Sequence, residues 1–187
     1  MRPVFIVGFM ATGKSTLGRA VASRCHGLKF YDLDEVIEQE EGMTVATIFA
    51  TKGQDYFRLR EAEALRKLAS LPQVLISCGG GTPCYGNNME FMKDSGVVVC
   101  LDAGLDTICR RIIEAGPTRP LASKYADEPD RLKAHVEEML NARKYFYSLA
   151  HEKFSGELLE TEEDVDKTAN EFISRYLNED NRKPYPS

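Results

Sequence analysis

The stretch Gly8-Phe9-Met10-Ala11-Thr12-Gly13-Lys14-Ser15 decides the fold of this chain. It follows Val4-Phe5-Ile6-Val7, an apolar run typical of a buried strand, and precedes Thr16 to Ala22, where apolar residues recur at helical spacing. A strand, the spacing G-x-x-x-x-G-K-S and a helix together predict a phosphate-binding P-loop. The backbone N–H groups of such a loop and the positive end of the helix dipole attract one anion. A chance glycine turn is the weaker alternative.

Two side chains give this loop its chemistry. Lys14 can reach the β- and γ-phosphates of a nucleoside triphosphate, and the Ser15 hydroxyl can ligate Mg²⁺. The motif alone therefore predicts binding of a phosphate chain with Mg²⁺, a property that transport motors, switches and kinases share.

The composition is that of a globular protein, with 187 residues of which 43% are hydrophobic and 28% charged. This length predicts one domain, which we expect over residues 1–177, with a disordered tail at 178–187. The net charge of -5 gives no basic surface for nucleic acid, and no apolar run is long enough to span a membrane. Five cysteines without C-x-x-C spacing indicate reduced thiols rather than disulfides or a zinc site. We expect a cytoplasmic monomer without a signal peptide.

Apolar runs alternate with segments of helical spacing along the chain, which predicts a parallel α/β sheet. The predicted strands are residues 2–7, 29–31, 73–77, 97–101 and 155–160. The predicted helices are residues 14–25, 35–41, 45–50, 54–70, 87–93, 106–114, 127–151 and 162–177. Asp34, Thr44 and Thr161 are candidate N-caps, and Gly53 separates two of the helices. The strand at 97–101 is apolar on both faces, which favours an inner position in the sheet.

Polar or glycine residues follow each of the first three predicted strands. The first leads into the P-loop, the second into Asp32 and Asp34, and the third into Gly79-Gly80-Gly81. Ligands of open parallel sheets bind beyond the carboxyl ends of the strands, so we expect these residues to meet there. One aspartate could hold Mg²⁺ through water, and the other could accept a hydrogen bond, and a proton, from an acceptor hydroxyl. The alternatives are a helix cap for Asp34, a loop position for Asp32 and a merely flexible glycine loop.

Three arginines each have a functional and an ordinary interpretation. Arg58 could bind a substrate carboxylate, or it could form an i,i+3 salt bridge with Glu61 on a solvated face. Arg119, in a segment bounded by Gly116 and Pro120, could close over a transferred phosphate or be a solvated loop residue. Arg143 lies on a predicted long helix, whose exposed face is the ordinary interpretation. Spacing does not separate these alternatives.

Taken in order, these motifs resemble the shikimate kinase family over the chain to about residue 161. The motifs are the P-loop, Asp32-Leu33-Asp34, Phe57-Arg58-Leu59-Arg60-Glu61, Gly79-Gly80-Gly81, Arg119-Pro120-Leu121 and Arg143 with Tyr147. The resemblance implies a three-layer, nucleoside-monophosphate-kinase-like α/β fold with a five-stranded parallel sheet. It also implies ATP-dependent phosphorylation of the shikimate 3-hydroxyl, a step towards chorismate and aromatic amino acids.

The resemblance also implies roles for individual residues. Shikimate would contact Asp34, Arg58, Gly80 and Arg143, with both arginines on its carboxylate and Asp34 on its hydroxyls. The ATP site would comprise Ala11, Thr12, Gly13, Lys14, Ser15, Thr16 and Arg119. Ser15 would ligate Mg²⁺, with Asp32 acting through water, and the catalytic groups would be Lys14, Asp34 and Arg119. Residues 32–62 would form the shikimate-binding region and residues 115–127 the lid.

The chain departs from the family pattern in three places. Tyr145-Phe146-Tyr147 stands where Pro-Leu-Tyr is usual, the lid arm at 115–118 is unusual, and Thr161-Glu162-Glu163 lacks an arginine for adenine. Arg110 or Arg111 could stack on the base instead. Two other functions stay open: a gluconate-type kinase, in which Arg58 and Arg143 need not both face Asp34, and a regulatory module that binds nucleotide without turnover.

Overall fold

Five short parallel strands form one sheet at the centre of the fold. A computed structural model describes residues 1–116, 124–125 and 128–177 of the chain. The strands are β1 (Val4–Val7), β2 (Lys29–Asp32), β3 (Val74–Ser77), β4 (Val97–Asp102) and β5 (Glu152–Ser155). Their order in the sheet is β2-β3-β1-β4-β5, so the strand that leads into the P-loop is the middle one. The predicted five-stranded parallel sheet and the inner position of β4 are confirmed.

Helices cover both faces of this sheet. They are α1 (Lys14–Arg24), α2 (Leu33–Glu41), α3 (Val45–Ala69), α4 (Asn88–Ser95), α5 (Leu105–Glu114), α6 (Pro129–Ser148) and α7 (Glu162–Tyr176), with a short 3₁₀ helix at Thr82–Cys84. Among the helices of the described ranges, none has both the length and the apolar character that crossing a membrane requires.

Alternation along β1 divides the core into two layers. Val4 and Ile6 belong to the apolar cluster that contains side chains of α1 and α7, whereas Phe5 and Val7 belong to the cluster that contains side chains of α2 to α6. All four side chains are fully buried, as expected for a strand in the middle of a sheet covered on both faces. The predicted three-layer α/β architecture is confirmed, and the P-loop leaves the sheet at its centre.

Several local predictions are also confirmed. Thr44 and Thr161 accept hydrogen bonds from the backbone N–H groups of Thr47 and Asp164, as N-caps do. Gly53 adopts φ 84° and ψ 170° inside α3, so the predicted break between two helical segments exists as a kink.

Two predictions about element ends are wrong. Asp32, not Asp34, caps α2, since its Oδ1 accepts the backbone N–H of Asp34 at 3.2 Å. The fifth strand was predicted at 155–160 but lies at Glu152–Ser155. The apolar pair that suggested the later position belongs to a loop, where Leu158 is exposed and Leu159 packs against Gly13 of the P-loop.

The long helix predicted at 127–151 ends at Ser148 as α6. His151, its predicted last residue, lies beyond the helix and pairs with β4. His151 extends the sheet, because its N–H donates to the carbonyl of Val98 and its Nδ1 accepts the N–H of Val98, both at 3.0 Å. Arg119, most of the proposed lid at 115–127 and the tail at 178–187 lie outside the described residues.

Candidate active site

The carboxyl ends of β1, β2 and β3 surround a cavity of about 660 Å³. Lys14 and Ser15 line it from the P-loop, Asp32 and Asp34 from the end of β2, and Gly79 with Gly80 from the end of β3. The convergence expected from the parallel sheet is therefore present. Burial, charge and backbone geometry around this cavity decide what it can bind.

Close contacts hold the P-loop in shape. Gly8 has φ 142°, and a Cβ atom there would overlap the carbonyl oxygen of Leu101. Ala11 has φ 61° and Gly13 φ 95°, left-handed values that turn the chain tightly before α1 begins. The Thr12 hydroxyl and the buried Lys14 Nζ both donate to the carbonyl of Phe9, at 2.9 and 2.7 Å. The loop thus keeps a buried ammonium group beside the start of a helix, which suits a phosphate chain.

Ser15 and Asp32 are joined directly. The Ser15 hydroxyl donates to Asp32 Oδ2 at 2.5 Å, while Asp32 Oδ1 accepts the N–H of Asp34. A hydroxyl and a carboxylate are both oxygen donors, which is the chemistry that Mg²⁺ prefers, and Mg²⁺ commonly keeps waters between itself and a carboxylate. The pair therefore fits a magnesium ion held by Ser15, with Asp32 acting through water.

The electrostatics around Asp34 favour its protonated form. Burial, together with the nearby carboxylates of Asp32 and Glu61, raises the pKa of this half-buried carboxyl to about 6, against the opposing charges of Lys14 and Arg58. A carboxylate with a pKa close to neutrality can both remain ionised and accept a proton at physiological pH.

Each residue of the triple glycine makes room for one charged side chain. A Cβ atom on Gly79 would lie 2.8 Å from Asp34 Oδ1, one on Gly80 would lie 3.3 Å from Arg143 Nη1, and one on Gly81 would lie 2.6 Å from Arg58 Nη2. Close packing of side chains against the glycine backbone therefore explains these three residues better than a merely flexible loop does. The two arginines do not line the cavity wall itself; they lie against the glycine backbone next to it.

Arg58 forms the salt bridge of its ordinary interpretation, but this salt bridge does not lie on a solvated face. Its Nη1 donates to Glu61 Oε2 at 2.7 Å, and Glu61 is fully buried. The other oxygen of Glu61 accepts the Thr82 hydroxyl at 2.7 Å. The i,i+3 spacing was compatible with this pair, but it contained no information on burial. Thr82 was missed, and its position directly after the triple glycine was the available signal.

Arg143 is half-buried on α6 rather than on an exposed helix face. Its guanidinium lies 5.6 Å from the centroid of the Phe9 ring in the P-loop. One turn later, the buried Tyr147 donates its hydroxyl hydrogen to the carbonyl of Gly80 at 2.7 Å, and burial raises the pKa of this phenol. The unusual residues Tyr145 and Phe146 thus leave the contact between α6 and the glycine loop intact.

Arg110 and Arg111, the two candidates for stacking on the nucleotide base, differ in exposure and in their hydrogen-bond partners. Arg111 is almost buried and donates to the carbonyls of Gly156 and Glu157 at 2.8 and 2.9 Å, so it holds the loop after β5 beside the P-loop. Arg110 is half exposed on the same cavity edge and pairs with Glu160. Of the two, Arg110 keeps its guanidinium nearer to solvent and therefore more accessible to a base.

The sequence of this chain is similar to those of known proteins over most of its length. The family model described as shikimate kinase matches residues 10–175 of this chain. A shikimate kinase of Parabacteroides distasonis is 39% identical over 173 residues, which covers 92% of this chain and 98% of that protein.

Two solved structures show the same similarity in three dimensions. The crystal structure of shikimate kinase from Bacteroides thetaiotaomicron aligns with a TM-score of 0.88 and 33% identity, over 95% of this chain and 99% of that one. The shikimate kinase from Acinetobacter baumannii, solved in complex with shikimate, aligns with a TM-score of 0.79 and 28% identity, over 95% and 93% of the two chains.

The raised pKa of Asp34 predicts a pH-dependent cost to stability. Below pH 3.8 the Asp34 carboxyl is protonated in both the folded and the unfolded chain. Above about pH 6 it is ionised in both, and the folded chain bears the cost of a charge that its surroundings disfavour. Asp34→Asn should therefore raise the urea midpoint at pH 8, and this gain should shrink to nothing as the pH falls to about 4. Asp55→Asn, at an exposed position, is the matched control and should show no such trend. A loss of stability at pH 8, or a gain independent of pH, would contradict this.

Because Glu61 is buried, we expect the replacement of Arg58 alone to lower the free energy of unfolding. Arg58→Met leaves an unpaired buried carboxylate, and we expect a loss of about 3–5 kcal/mol in the free energy of unfolding. Arg58→Met combined with Glu61→Gln should recover most of it, because the neutral amide still accepts the Thr82 hydroxyl. Chemical denaturation measures both, with Arg131→Met, in an exposed pair with Glu128, as a control that should change little. Equal losses in the single and double variants would show that Glu61 is not the cause.

Proposed function

The chain belongs to the shikimate kinase family, and on that premise we propose that it transfers the γ-phosphoryl group of ATP to the 3-hydroxyl of shikimate. The observation that carries the proposal is the placement of Asp34, Arg143 and Arg58 against three successive glycines beside the P-loop. A donor site for phosphates and an acceptor site for a hydroxylated carboxylate thereby share one edge of the sheet.

The donor half of the site is the P-loop. Residues 11–16 surround the β- and γ-phosphates, and Lys14 exchanges its hydrogen bond with the Phe9 carbonyl for one with a phosphate oxygen. Ser15 would hold Mg²⁺, with Asp32 acting through water; the bound ion would supply positive charge that neutralises the phosphate oxygens. Arg119 would reach ATP as the lid arginine, which stays a prediction from the resemblance.

The acceptor half of the site begins with two arginines. Arg58 and Arg143 converge on the carboxylate of shikimate, because the planar guanidinium fits a carboxylate through paired hydrogen bonds. The N–H of Gly80 and the side chain of Asp34 are then available to the rest of the ring. The acceptor hydroxyl is bound by Asp34, on the side that faces the P-loop cavity.

Phosphoryl transfer needs positioning and charge stabilisation more than covalent help from the protein. Asp34 accepts the hydrogen bond of the 3-hydroxyl and takes its proton as the new oxygen–phosphorus bond forms. The bond between the γ-phosphorus and the bridging oxygen breaks, and ADP leaves with that oxygen. Lys14 stabilises the negative charge on the phosphoryl oxygens during this step.

The two other candidate functions have less support. A gluconate-type kinase does not require two arginines beside the catalytic aspartate, whereas Arg58 and Arg143 lie against the same glycine loop as Asp34. A nucleotide-binding regulatory module has no use for an aspartate of raised pKa beside the phosphate site. The expectation of a cytoplasmic monomer without a nucleic-acid partner stays a prediction.

A coupled assay of ADP release tests the proposed reaction. With ATP and Mg²⁺, the full chain should release ADP when shikimate is added, but not with gluconate or a nucleoside monophosphate. Lys14→Ala should lower kcat about 10²- to 10³-fold, the usual effect of removing a group that stabilises charge in the transition state. Lys167→Ala, on the surface of α7, should leave it unchanged. Turnover with gluconate and none with shikimate would reject the proposal.

The pH dependence of kcat/KM for shikimate tests the role of Asp34. The free enzyme needs the ionised carboxylate, so kcat/KM should be level above about pH 7 and fall tenfold per unit below about 6. Asp34→Asn should lower kcat strongly and abolish this limb. If Asp34→Asn loses kcat strongly but kcat/KM still falls below about pH 6, that fall belongs to another group. An unchanged kcat would show that Asp34 takes no part in proton transfer.

A further inference from the structure

Tyr85, which follows the 3₁₀ helix after the triple glycine, covers the guanidinium of Arg58. The Cζ of Arg58 lies 3.9 Å from the centroid of the Tyr85 ring, the distance of a stacked pair. Gln54 donates from Nε2 to the Tyr85 hydroxyl at 2.6 Å. Because Gln54 and Arg58 are four residues apart on α3, they share a helix face, and Tyr85 contacts both.

Arg58 is thus held on three sides and keeps unused donors. Glu61 pairs with Nη1, the backbone of Gly81 lies beside Nη2, and Tyr85 covers one face of the guanidinium plane. Nε is buried, and within the described part of the chain it has no hydrogen-bond partner. The stacked ring itself blocks none of the in-plane N–H groups, since it uses only the face of the guanidinium.

We propose that Tyr85 is a positioning residue that sets the plane of Arg58 for the carboxylate of the acceptor, an inference that rests on the function proposed above. The stacked ring prevents rotation of the guanidinium and excludes water from its outer face. An arginine that is already oriented loses less freedom when a carboxylate binds, and a drier site strengthens the charge-assisted hydrogen bonds.

Two other aromatic rings lie near Arg58, but both are farther from it than Tyr85, and that of the exposed Phe49 has its centroid 5.9 Å from Arg58 Cζ. Phe57 is buried in the core, with its centroid 5.1 Å from Arg58 Cζ, so its replacement would leave a cavity. Tyr85 is 36% exposed, and its hydroxyl bonds to the exposed Gln54. Tyr85 can therefore be changed with little effect on folding, which makes its role testable.

The experiment compares Tyr85→Leu and Tyr85→Phe with the wild-type full chain. Tyr85→Leu removes the stacked ring and should raise KM for shikimate about tenfold, with kcat and the KM for ATP within about twofold. Tyr85→Phe keeps the ring, loses only the bond to Gln54 and should raise KM about threefold. Tyr145→Leu, at an exposed position on α6, is the matched control and should change nothing.

A second measurement separates positioning of the carboxylate from a general change in the pocket. Shikimate and its carboxamide, which lacks the negative charge, are compared as ligands by calorimetry in each variant. The wild-type preference for the carboxylate should fall about tenfold in Tyr85→Leu, while carboxamide affinity stays constant.

Three results would overturn the proposal. Equal losses for carboxylate and carboxamide would assign Tyr85 to pocket shape, and an unchanged KM in Tyr85→Leu would leave it without a role in binding. A wild-type chain that releases no ADP with shikimate would reject the proposed function and this inference with it, whereas an active wild type with unaffected variants would reject the role of Tyr85 alone.

Discussion

Three charged side chains lie against the backbone of three successive glycines, at distances that a methyl group on any of them would disturb. This contact at the end of β3 positions the proposed acceptor half of the site. Tyr147 holds the middle glycine by its carbonyl, and the same glycine approaches the backbone of Met10 in the P-loop. The donor and acceptor halves are therefore built on one short piece of backbone, and their separation is fixed by the sheet rather than by flexible side chains.

The charges gathered at this edge disfavour the ionised form of Asp34, which suits the proposed proton transfer and carries a cost in stability. Burial disfavours ionisation of Asp34 most strongly, and the nearby carboxylates of Asp32 and Glu61 add to that effect. Lys14 and Arg58 oppose it but do not cancel it. Active sites commonly hold such groups at the expense of stability, because substrates complete the charge balance. Here, phosphates would pair with Lys14, and a carboxylate would pair with the arginines.

How much the sequence could predict depended on whether the signal was local. The P-loop, the caps Thr44 and Thr161 and the kink at Gly53 follow from neighbouring residues, and all were predicted correctly. The fifth strand was misplaced because Leu158 and Leu159 form an apolar pair whose partner, Gly13, is distant in the chain.

The choice between a salt bridge and a binding role for Arg58 could not be made, since spacing carries no information on the burial of Glu61. The contact of Tyr85 with Arg58 joins two segments through tertiary folding alone, and no periodic pattern marks it.

The central claim is that Arg58, Arg143 and Asp34 form one acceptor site beside the P-loop. A crystal structure of the full chain with shikimate, ADP and Mg²⁺ tests it most directly. The account predicts that both arginines hydrogen-bond the carboxylate, that a ring hydroxyl lies within hydrogen-bond distance of Asp34, and that the β-phosphate occupies the P-loop beside Lys14. Shikimate bound with its carboxylate away from both arginines, or with no hydroxyl near Asp34, would contradict it.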